Sequence, residues 1–137
     1  MAHREGGIRL SRLLTSEAAR RGAAHFNAGE YFEAHEAWEE VWMAAAEPRR
    51  SFYQGLIQLA AGGVKLRRGQ PGAAVKLLRK GSERLRRYLA SVGGRAEETW
   101  LAEFLRAVDA CREELSRRSE GQAAMANAAR LPRLPVG

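Results

Sequence analysis

The chain has 137 residues and a mass of 15.2 kDa, a length that predicts one domain rather than two. Apolar residues make up 45% and charged residues 28%, which allows a packed core and argues against disorder of the whole chain. No run of about 18 apolar residues occurs, which excludes a transmembrane helix, and residues 1–10 lack the apolar stretch of a secretory signal. Cys111 has no partner for an internal disulfide, so we expect a cytoplasmic protein.

The formal net charge is +7, and the charges are unevenly distributed along the chain. Residues 30–47 contain six glutamates and no Lys or Arg, whereas residues 49–95 contain twelve Lys or Arg and a single acidic residue, Glu83. An acidic segment followed by a basic one predicts charge complementarity within the chain, between two copies of it, or with an acidic partner.

The composition favours helices, because Ala, Leu, Arg and Glu dominate and β-branched residues are few. Gly and Pro divide the chain into a short apolar lead-in at 8–14 and five predicted helices at 17–28, 31–46, 48–67, 72–89 and 96–118. Ser16 is predicted to cap the first helix, and Gly29 to take the left-handed position that ends it. Residues 119–137 lose the helical periodicity, so we expect a single helical domain at 1–118 followed by a largely disordered tail.

A G-x-x-x-x-A frame occurs twice, from Gly29 to Ala34 and from Gly69 to Ala74, each time at a predicted turn between two helices. The frame resembles the turn of tetratricopeptide-type hairpins, although its spacing of forty residues exceeds their period of about 34. A chance similarity between two helix–Gly–helix turns is the alternative. Both interpretations predict an all-α fold made of two packed helical hairpins and a fifth helix.

Two glycines inside the third predicted helix, Gly55 and Gly62, also carry packing information. A glycine in a helix interior costs about 1 kcal/mol relative to alanine. Their position on one side of the helix therefore predicts that another backbone approaches closely there.

A cluster of polar residues stands out on the second predicted helix. At about 100° per residue, His35, Trp38 and Trp42 share the apolar face, and Glu39 lies about 40° from His35 at its edge. The side chains of Glu33, Glu36 and Glu40 are predicted to face solvent. A buried carboxylate and imidazole need hydrogen-bond partners, and Gln54 and Gln58 of the third helix are the candidates. The predicted buried cluster thus contains His35, Glu39, Trp42, Gln54 and Gln58.

The stretches FNAGEYFEAHEAWEEVW, at 26–42, and FYQGLIQLAAG, at 52–62, resemble a bacterial and archaeal helical family named domain of unknown function 309. The resemblance covers about residues 26 to 89. It implies an all-α array of hairpins with no established biochemical activity. By the pattern of that family, the signature positions are His35, Glu36, Glu39, Trp42, Gln54, Gly55 and Gln58.

The cluster supports two interpretations. In the first, the protein is a noncatalytic module that binds a partner or a small ligand through the cluster, and a concave pocket at Glu39 would favour this. In the second, the same side chains form a closed structural network that joins two helices, which full burial would favour. The second interpretation predicts that Glu39→Ala or His35→Ala destabilises the fold by about 3–5 kcal/mol, the scale for breaking a buried polar pair.

A metal site is a further alternative. The run from His35 to Glu39 resembles the metalloprotease H-E-x-x-H motif with glutamate in place of the second histidine. His35 and Glu39 would supply two ligands for a divalent metal, with His25 as the third, in a metal-dependent hydrolase. No other catalytic arrangement stands out, and Cys111 lies on an apolar stripe typical of a core position. We therefore favour a noncatalytic protein without a resident cofactor.

The fourth predicted helix carries a basic face. Its members are Lys76, Arg79, Lys80, Arg84, Arg86 and Arg87. A face with one sign of charge is a candidate footprint for nucleic-acid phosphates, although no nucleic-acid motif and no interleaved aromatic residue accompanies it. A solvated face, or one that neutralises acidic residues of the same or another chain, is the alternative.

Overall fold

The computed structural model describes residues 16–93, 99–118 and 130–135. Within them the chain forms five α-helices and no strand, namely α1 (Glu17–Asn27), α2 (Tyr31–Ala44), α3 (Arg49–Arg67), α4 (Pro71–Ser91) and α5 (Thr99–Arg117). The predicted all-α fold of five helices is confirmed. None of these helices is both long enough and apolar enough to cross a bilayer. The predicted lead-in at 8–14 lies outside the described residues.

Several helix ends differ from the predicted ones by a few residues. The second helix ends at Ala44 rather than at 46, before a link that includes a cis peptide bond between Glu47 and Pro48. The fourth helix extends to Ser91 rather than ending at 89. Such differences are expected, because the hydrophobic period locates a helix better than it locates its last turn.

The turn between α1 and α2 forms as the sequence predicts. Ser16 accepts the backbone N–H of Ala19 on its hydroxyl oxygen at 3.1 Å and so caps α1. After α1, Gly29 has a φ of +80°, a left-handed value that favours glycine. The Glu30 N–H then donates to the carbonyl of His25 at 2.8 Å, and the chain reverses into α2.

The turn between α3 and α4 repeats this geometry. Gly69 has a φ of +73°, and the Gln70 N–H donates to the carbonyl of Lys65 at 2.9 Å. Ala34 and Ala74, the alanines of the two frames, are both fully buried. The repeated sequence frame therefore corresponds to two equivalent turns, each of which starts the second helix of a hairpin.

Inside the first hairpin, one indole ring makes the central contact. Trp38 is fully buried, and its Nε1–H donates to the carbonyl of Ala19 at 3.2 Å. The ring lies over Gly22, where an added Cβ would be 2.3 Å from Nε1 of Trp38. Glycine at position 22 is what allows a ring of this size to reach the backbone of α1.

Inside the second hairpin, leucines and glycines interlock. A Cβ added at Gly55 would lie 2.6 Å from Cγ of Leu85, and one added at Gly62 would lie 3.0 Å from Cδ2 of Leu78. A Cβ at Gly81 would lie 2.9 Å from the carbonyl oxygen of Gly55, so the backbones of α3 and α4 come close at that point. The predicted close approach at α3 is confirmed, and the neighbour is α4.

Helix α5 joins the two hairpins through aromatic side chains. The ring centroids of Phe104 and Phe26 are 6.2 Å apart, and those of Trp100 and Phe52 are 6.4 Å apart. The ring centroids of Trp100 and Phe104 are 6.3 Å apart. One hydrophobic core therefore runs through both hairpins and α5.

Residues 130–135 pack against the turn of the first hairpin. Leu131 and Leu134 are buried, with 5% and 2% of their surfaces exposed. The Asn27 side chain donates to the Leu134 carbonyl at 3.0 Å and accepts the Leu134 N–H at 2.7 Å, while the Tyr31 hydroxyl accepts the Leu131 N–H at 2.7 Å. This packing differs from the disordered tail expected at 119–137, because two leucines and a distant Asn27 supply contacts that local periodicity does not reveal. Residues 119–129 lie outside the described residues.

Candidate functional site

Helix α2 presents the predicted His35–Glu39 pair side by side at the surface. His35 Nε2 lies 3.9 Å from Glu39 Oε2, a distance at which the two attract each other only when the imidazole is protonated. The His35 side chain is 28% exposed and the Glu39 side chain is 51% exposed. Glu36 is exposed, as predicted.

The predicted burial of Glu39 is wrong. The buried side of α2 is centred on Ala34 and Trp38, because α1 packs there through the contact between Trp38 and Ala19. Glu39 lies about 100° from Trp38 around the helix and faces outward. Its carboxylate is therefore accessible to solvent, and the pair with His35 is a surface interaction.

The predicted closed network is not formed in the described part of the chain. Neither Gln54 nor Gln58 donates a hydrogen bond to Glu39 or His35 there. Instead, three buried polar atoms of the cluster have no hydrogen-bond partner, namely Nδ1 of His35, Nε1 of Trp42 and Oε1 of Gln58. Folded proteins satisfy about nine in ten buried polar groups, so three unsatisfied atoms on two adjacent helices require an explanation.

Trp42 is held by a residue that the sequence interpretation missed. The guanidinium carbon of Arg50 lies 3.9 Å from the centroid of the Trp42 ring, and its Nη1 donates to the Trp42 carbonyl at 3.3 Å. Arg50 thus binds both the ring and a carbonyl at the end of α2. The only signal in the sequence is an arginine in the first turn of α3, directly after the short link.

The predicted metal ligands do not come together. His25 lies at the end of α1, where its Nδ1 is 2.7 Å from Oε1 of Glu30. Among the described residues, no three His, Cys, Asp or Glu side chains are grouped as a metal ion would require. The metal site predicted from His25, His35 and Glu39 is therefore wrong. His25 points toward Glu30 at the hairpin turn, away from the exposed side of α2.

Helix α4 keeps most of its predicted basic face at the surface. Lys76, Arg79, Lys80 and Arg87 are exposed, and Arg84 is half-buried. Nucleic-acid binding by this face is not tested by the structure and stays a prediction.

Arg86 differs from the other cations of α4, because it pairs with Asp109 of α5. Asp109 also accepts a hydrogen bond from Arg112 at 3.3 Å. Partial burial raises the pKa of Asp109, but the hydrogen bond and charge of Arg86, together with hydrogen bonds from Arg112 and Ser82, outweigh it and hold that pKa below its usual value. The Arg86 charge therefore joins α4 to α5, and its predicted place in the polyanion-binding face is not tested by this pairing.

Cys111 is half-buried on α5 and packs against the core. Burial raises the pKa of its thiol, with Glu114 adding to the increase and Arg118 opposing it. A thiol whose pKa is raised is a poor nucleophile, which agrees with the predicted core position.

Comparison with known proteins finds one matching family model. The family model for a domain of unknown function, DUF309, matches residues 19–77, which include most of α1, all of α2 and α3, and the start of α4. Neither a curated protein nor a solved structure has significant similarity to the chain. All five members of the predicted polar cluster fall inside the matched region.

Proposed function

We propose that the protein, whose residues 19–77 match the DUF309 family model, is a noncatalytic interaction module that binds a partner protein on the exposed side of α2. We call this side the α2 surface and define it by Phe32, His35, Glu36, Glu39 and Met43. Trp42 lies one turn after Glu39 on the same helix, and Gln54 and Gln58 lie one turn apart on α3.

The observation that carries the proposal is a set of unsatisfied atoms on α2 and on α3, the helix that packs against it. Nδ1 of His35, Nε1 of Trp42 and Oε1 of Gln58 are buried and have no hydrogen-bond partner. A buried polar group without a partner costs about 1–3 kcal/mol. A bound partner that draws the Trp42 and Gln58 side chains toward the surface supplies an acceptor for the indole N–H and a donor for the glutamine oxygen, which recovers this cost in the complex.

The exposed side chains of α2 support the same conclusion. Phe32 is 53% exposed and Met43 is 73% exposed, and they are the large apolar side chains that the described residues leave in solvent. With Glu36 and Glu39 they follow the spacing i, i+4, i+7 and i+11, which makes one continuous stripe. A stripe with apolar ends and an acidic centre matches a partner segment that carries apolar side chains around a Lys or Arg.

The shape of the site favours a macromolecule over a small ligand. Glu39 lies on the convex outer side of a helix, whereas small ligands bind in concave sites. A cavity of about 260 Å³ does adjoin Phe32, with Tyr31, Val64 and Arg67 among its lining residues. It is a suitable place for one anchoring side chain of a partner that lies along α2.

A site-specific photo-cross-linker tests the proposal in the native cell. We expect a discrete adduct from position 43 of the α2 surface and none from the matched position 103, which is an exposed glutamate on α5. Adding Glu39→Gln should reduce the adduct from position 43 several-fold, because it removes a charge without changing the size of the side chain. The same adducts from both positions, or an adduct that Glu39→Gln does not weaken, would overturn the proposal.

A folding control accompanies this experiment. Circular dichroism and thermal melting should show that Glu39→Gln keeps the helical content and stability of the parent chain, since Glu39 is half-exposed. A reduced adduct in a folded variant then reports on binding alone.

A further inference from the structure

A second feature lies where α4 passes the start of α3. A cavity of about 230 Å³ opens there between Arg84, Arg87, Tyr88 and Ser91 of α4 and Glu47, Pro48 and Ser51 at the beginning of α3. No residue of the α2 surface lines it. Ligand binding in this cavity can therefore be tested independently of partner binding by the α2 surface.

The two arginines of the cavity have uncompensated charge. Within the described residues, neither Arg84 nor Arg87 forms an ion pair or a hydrogen bond, whereas Arg86 between them pairs with Asp109. Nε of Arg84 is buried and has no acceptor, although a guanidinium is always protonated. The Arg84 charge is thus partly removed from water and has no paired carboxylate, which favours an anion in the cavity that its side chain lines.

The carboxylate in the cavity does not supply that acceptor. Oε1 of Glu47 accepts the backbone N–H of Ser51 at 3.1 Å, which engages it at the start of α3. The N–H groups of Arg50 and Phe52 are also taken, by the carbonyls of Ala46 and Pro48. The start of α3 thus contributes the positive end of its dipole, while direct donors must come from side chains.

The available donors match one ligand chemistry. Arg84 and Arg87 are three residues apart and so lie on the same side of α4, and the Ser51 hydroxyl has no partner within the described residues. Two guanidinium groups and one hydroxyl present several N–H and O–H donors to one anion. A tetrahedral phosphoryl group, with three acceptor oxygens and a charge of about −1.5 to −2, uses such a set better than a planar carboxylate does.

We propose that this cavity binds the phosphoryl group of a phosphate monoester through Arg84, Arg87 and Ser51. Lys80 precedes Arg84 by one helical turn and is exposed, so the rest of the ligand extends along α4 toward it. Two sources share this chemistry, a small phosphorylated metabolite and the terminal phosphate of a nucleic-acid strand.

Titration with inorganic phosphate at constant ionic strength, followed by two-dimensional NMR, tests the site. We expect saturable shifts of the Arg84 Nε–H signal and of the Ser51 amide. Arg84→Gln and Arg87→Gln should each weaken binding about tenfold, which corresponds to one lost charge-assisted hydrogen bond. Arg79→Gln makes the same charge change at an exposed position of α4 outside the cavity and should change the affinity less than about twofold.

The possible results separate a site from general charge attraction. No saturable shift, or an equal loss in all three arginine variants, would overturn the proposal. Arg87 is exposed, so Arg87→Gln should fold normally and keeps the test valid if Arg84→Gln does not fold.

Binding measurements with oligonucleotides distinguish a nucleic-acid terminus from a small metabolite as the source of the phosphoryl group. A strand with a 5′-phosphate that binds about tenfold more tightly than the same strand with a 5′-hydroxyl identifies a strand terminus as the ligand. Binding of inorganic phosphate together with equal or undetectable binding of the two strands points to a small metabolite. Binding of both strands without any effect of inorganic phosphate contradicts the cavity and leaves only the exposed cations of α4.

Discussion

The two hairpins of this protein turn in the same way but are held together differently. Gly29 and Gly69 have nearly equal positive φ values, and the hydrogen bonds that follow them match. Between α1 and α2, however, the main contact is a single indole ring that lies over Gly22, while α3 and α4 interlock through leucines and three glycines. A repeated turn therefore fixes the reversal of the chain without fixing the packing that follows it.

The largest loss of stability is expected when the indole ring of Trp38 is removed. Trp38→Ala should cost about 3–5 kcal/mol, because it leaves a large cavity and deletes the hydrogen bond to Ala19. Leu78→Ala in the second hairpin should cost less, since several neighbouring leucines share that interface. Urea unfolding followed by circular dichroism measures both free energies, and equal losses would contradict the difference between the hairpins.

The glycines provide a second test. Gly81→Ala should destabilise the second hairpin by about 1–3 kcal/mol, because the new Cβ would meet the Gly55 carbonyl oxygen and Leu59. Gly72→Ala is the matched control in the same helix, since no atom lies within 4 Å of its added Cβ. We expect Gly72→Ala to stabilise the protein by about 0.4–1 kcal/mol, and thermal melting of the two variants should therefore shift in opposite directions.

Alkaline pH tests the second hairpin through Tyr53, a buried tyrosine of α3. Burial raises the pKa of Tyr53 to about 12, although the charge and hydrogen bond of Arg49 lower it, and burial also raises the pKa of Tyr31. Because the folded pKa exceeds the unfolded value of about 10, the contribution of Tyr53 to stability is complete below that pH and is lost as pH rises through about 12.

Tyr53→Phe is the variant that tests this pH dependence. It should flatten the fall in melting temperature above about pH 10, because the group that ionises is removed. A melting profile with the same alkaline slope in the parent and in Tyr53→Phe would show that another group is responsible.

Substitution of the two turn glycines should destabilise the protein by equal amounts. Gly29→Ala and Gly69→Ala each force a side chain into a left-handed conformation, at a cost of about 1–2 kcal/mol. Chemical denaturation of both variants would sharpen the comparison. A difference of more than about 1 kcal/mol between them would mean that the turns are not equivalent.

The smallest effect is expected at the exposed pair of α2. Glu39→Ala should change stability by less than about 1 kcal/mol, because the ion pair with His35 is long and half-exposed. Glu36→Ala, at an exposed position one turn away, should change it by less than about 0.5 kcal/mol. A loss of several kcal/mol in Glu39→Ala alone would support the buried-network interpretation and contradict the proposal that the α2 surface binds a partner.

These outcomes depend on which features the sequence reveals. Helices, caps and turns are local, so Ser16, Gly29 and Gly69 could be assigned from their neighbours in the chain. The periodicity of α2 also placed His35 and Glu39 on one side of a helix. It could not show how far α1 covers that side, which is why the predicted burial of Glu39 failed.

The contacts that prediction missed all join positions on different elements. Arg50 binds Trp42 across the link between α2 and α3, and Arg86 pairs with Asp109 across two helices. In both cases several arginines nearby have the same local pattern. Selecting the right one requires the packing of the helices, which no single stretch of sequence contains.

The contact between residues 130–135 and Asn27 also affects how the protein is made. Leu131 and Leu134 are 100 and 107 positions away in the chain from the Tyr31 and Asn27 side chains that they bind. During translation, the first hairpin therefore leaves the ribosome long before the residues that cover its turn are synthesised. Until then the side chains of Asn27 and Tyr31 lack these hydrogen-bond partners, so the turn of the first hairpin is completed only after about a hundred further residues have been added to the chain.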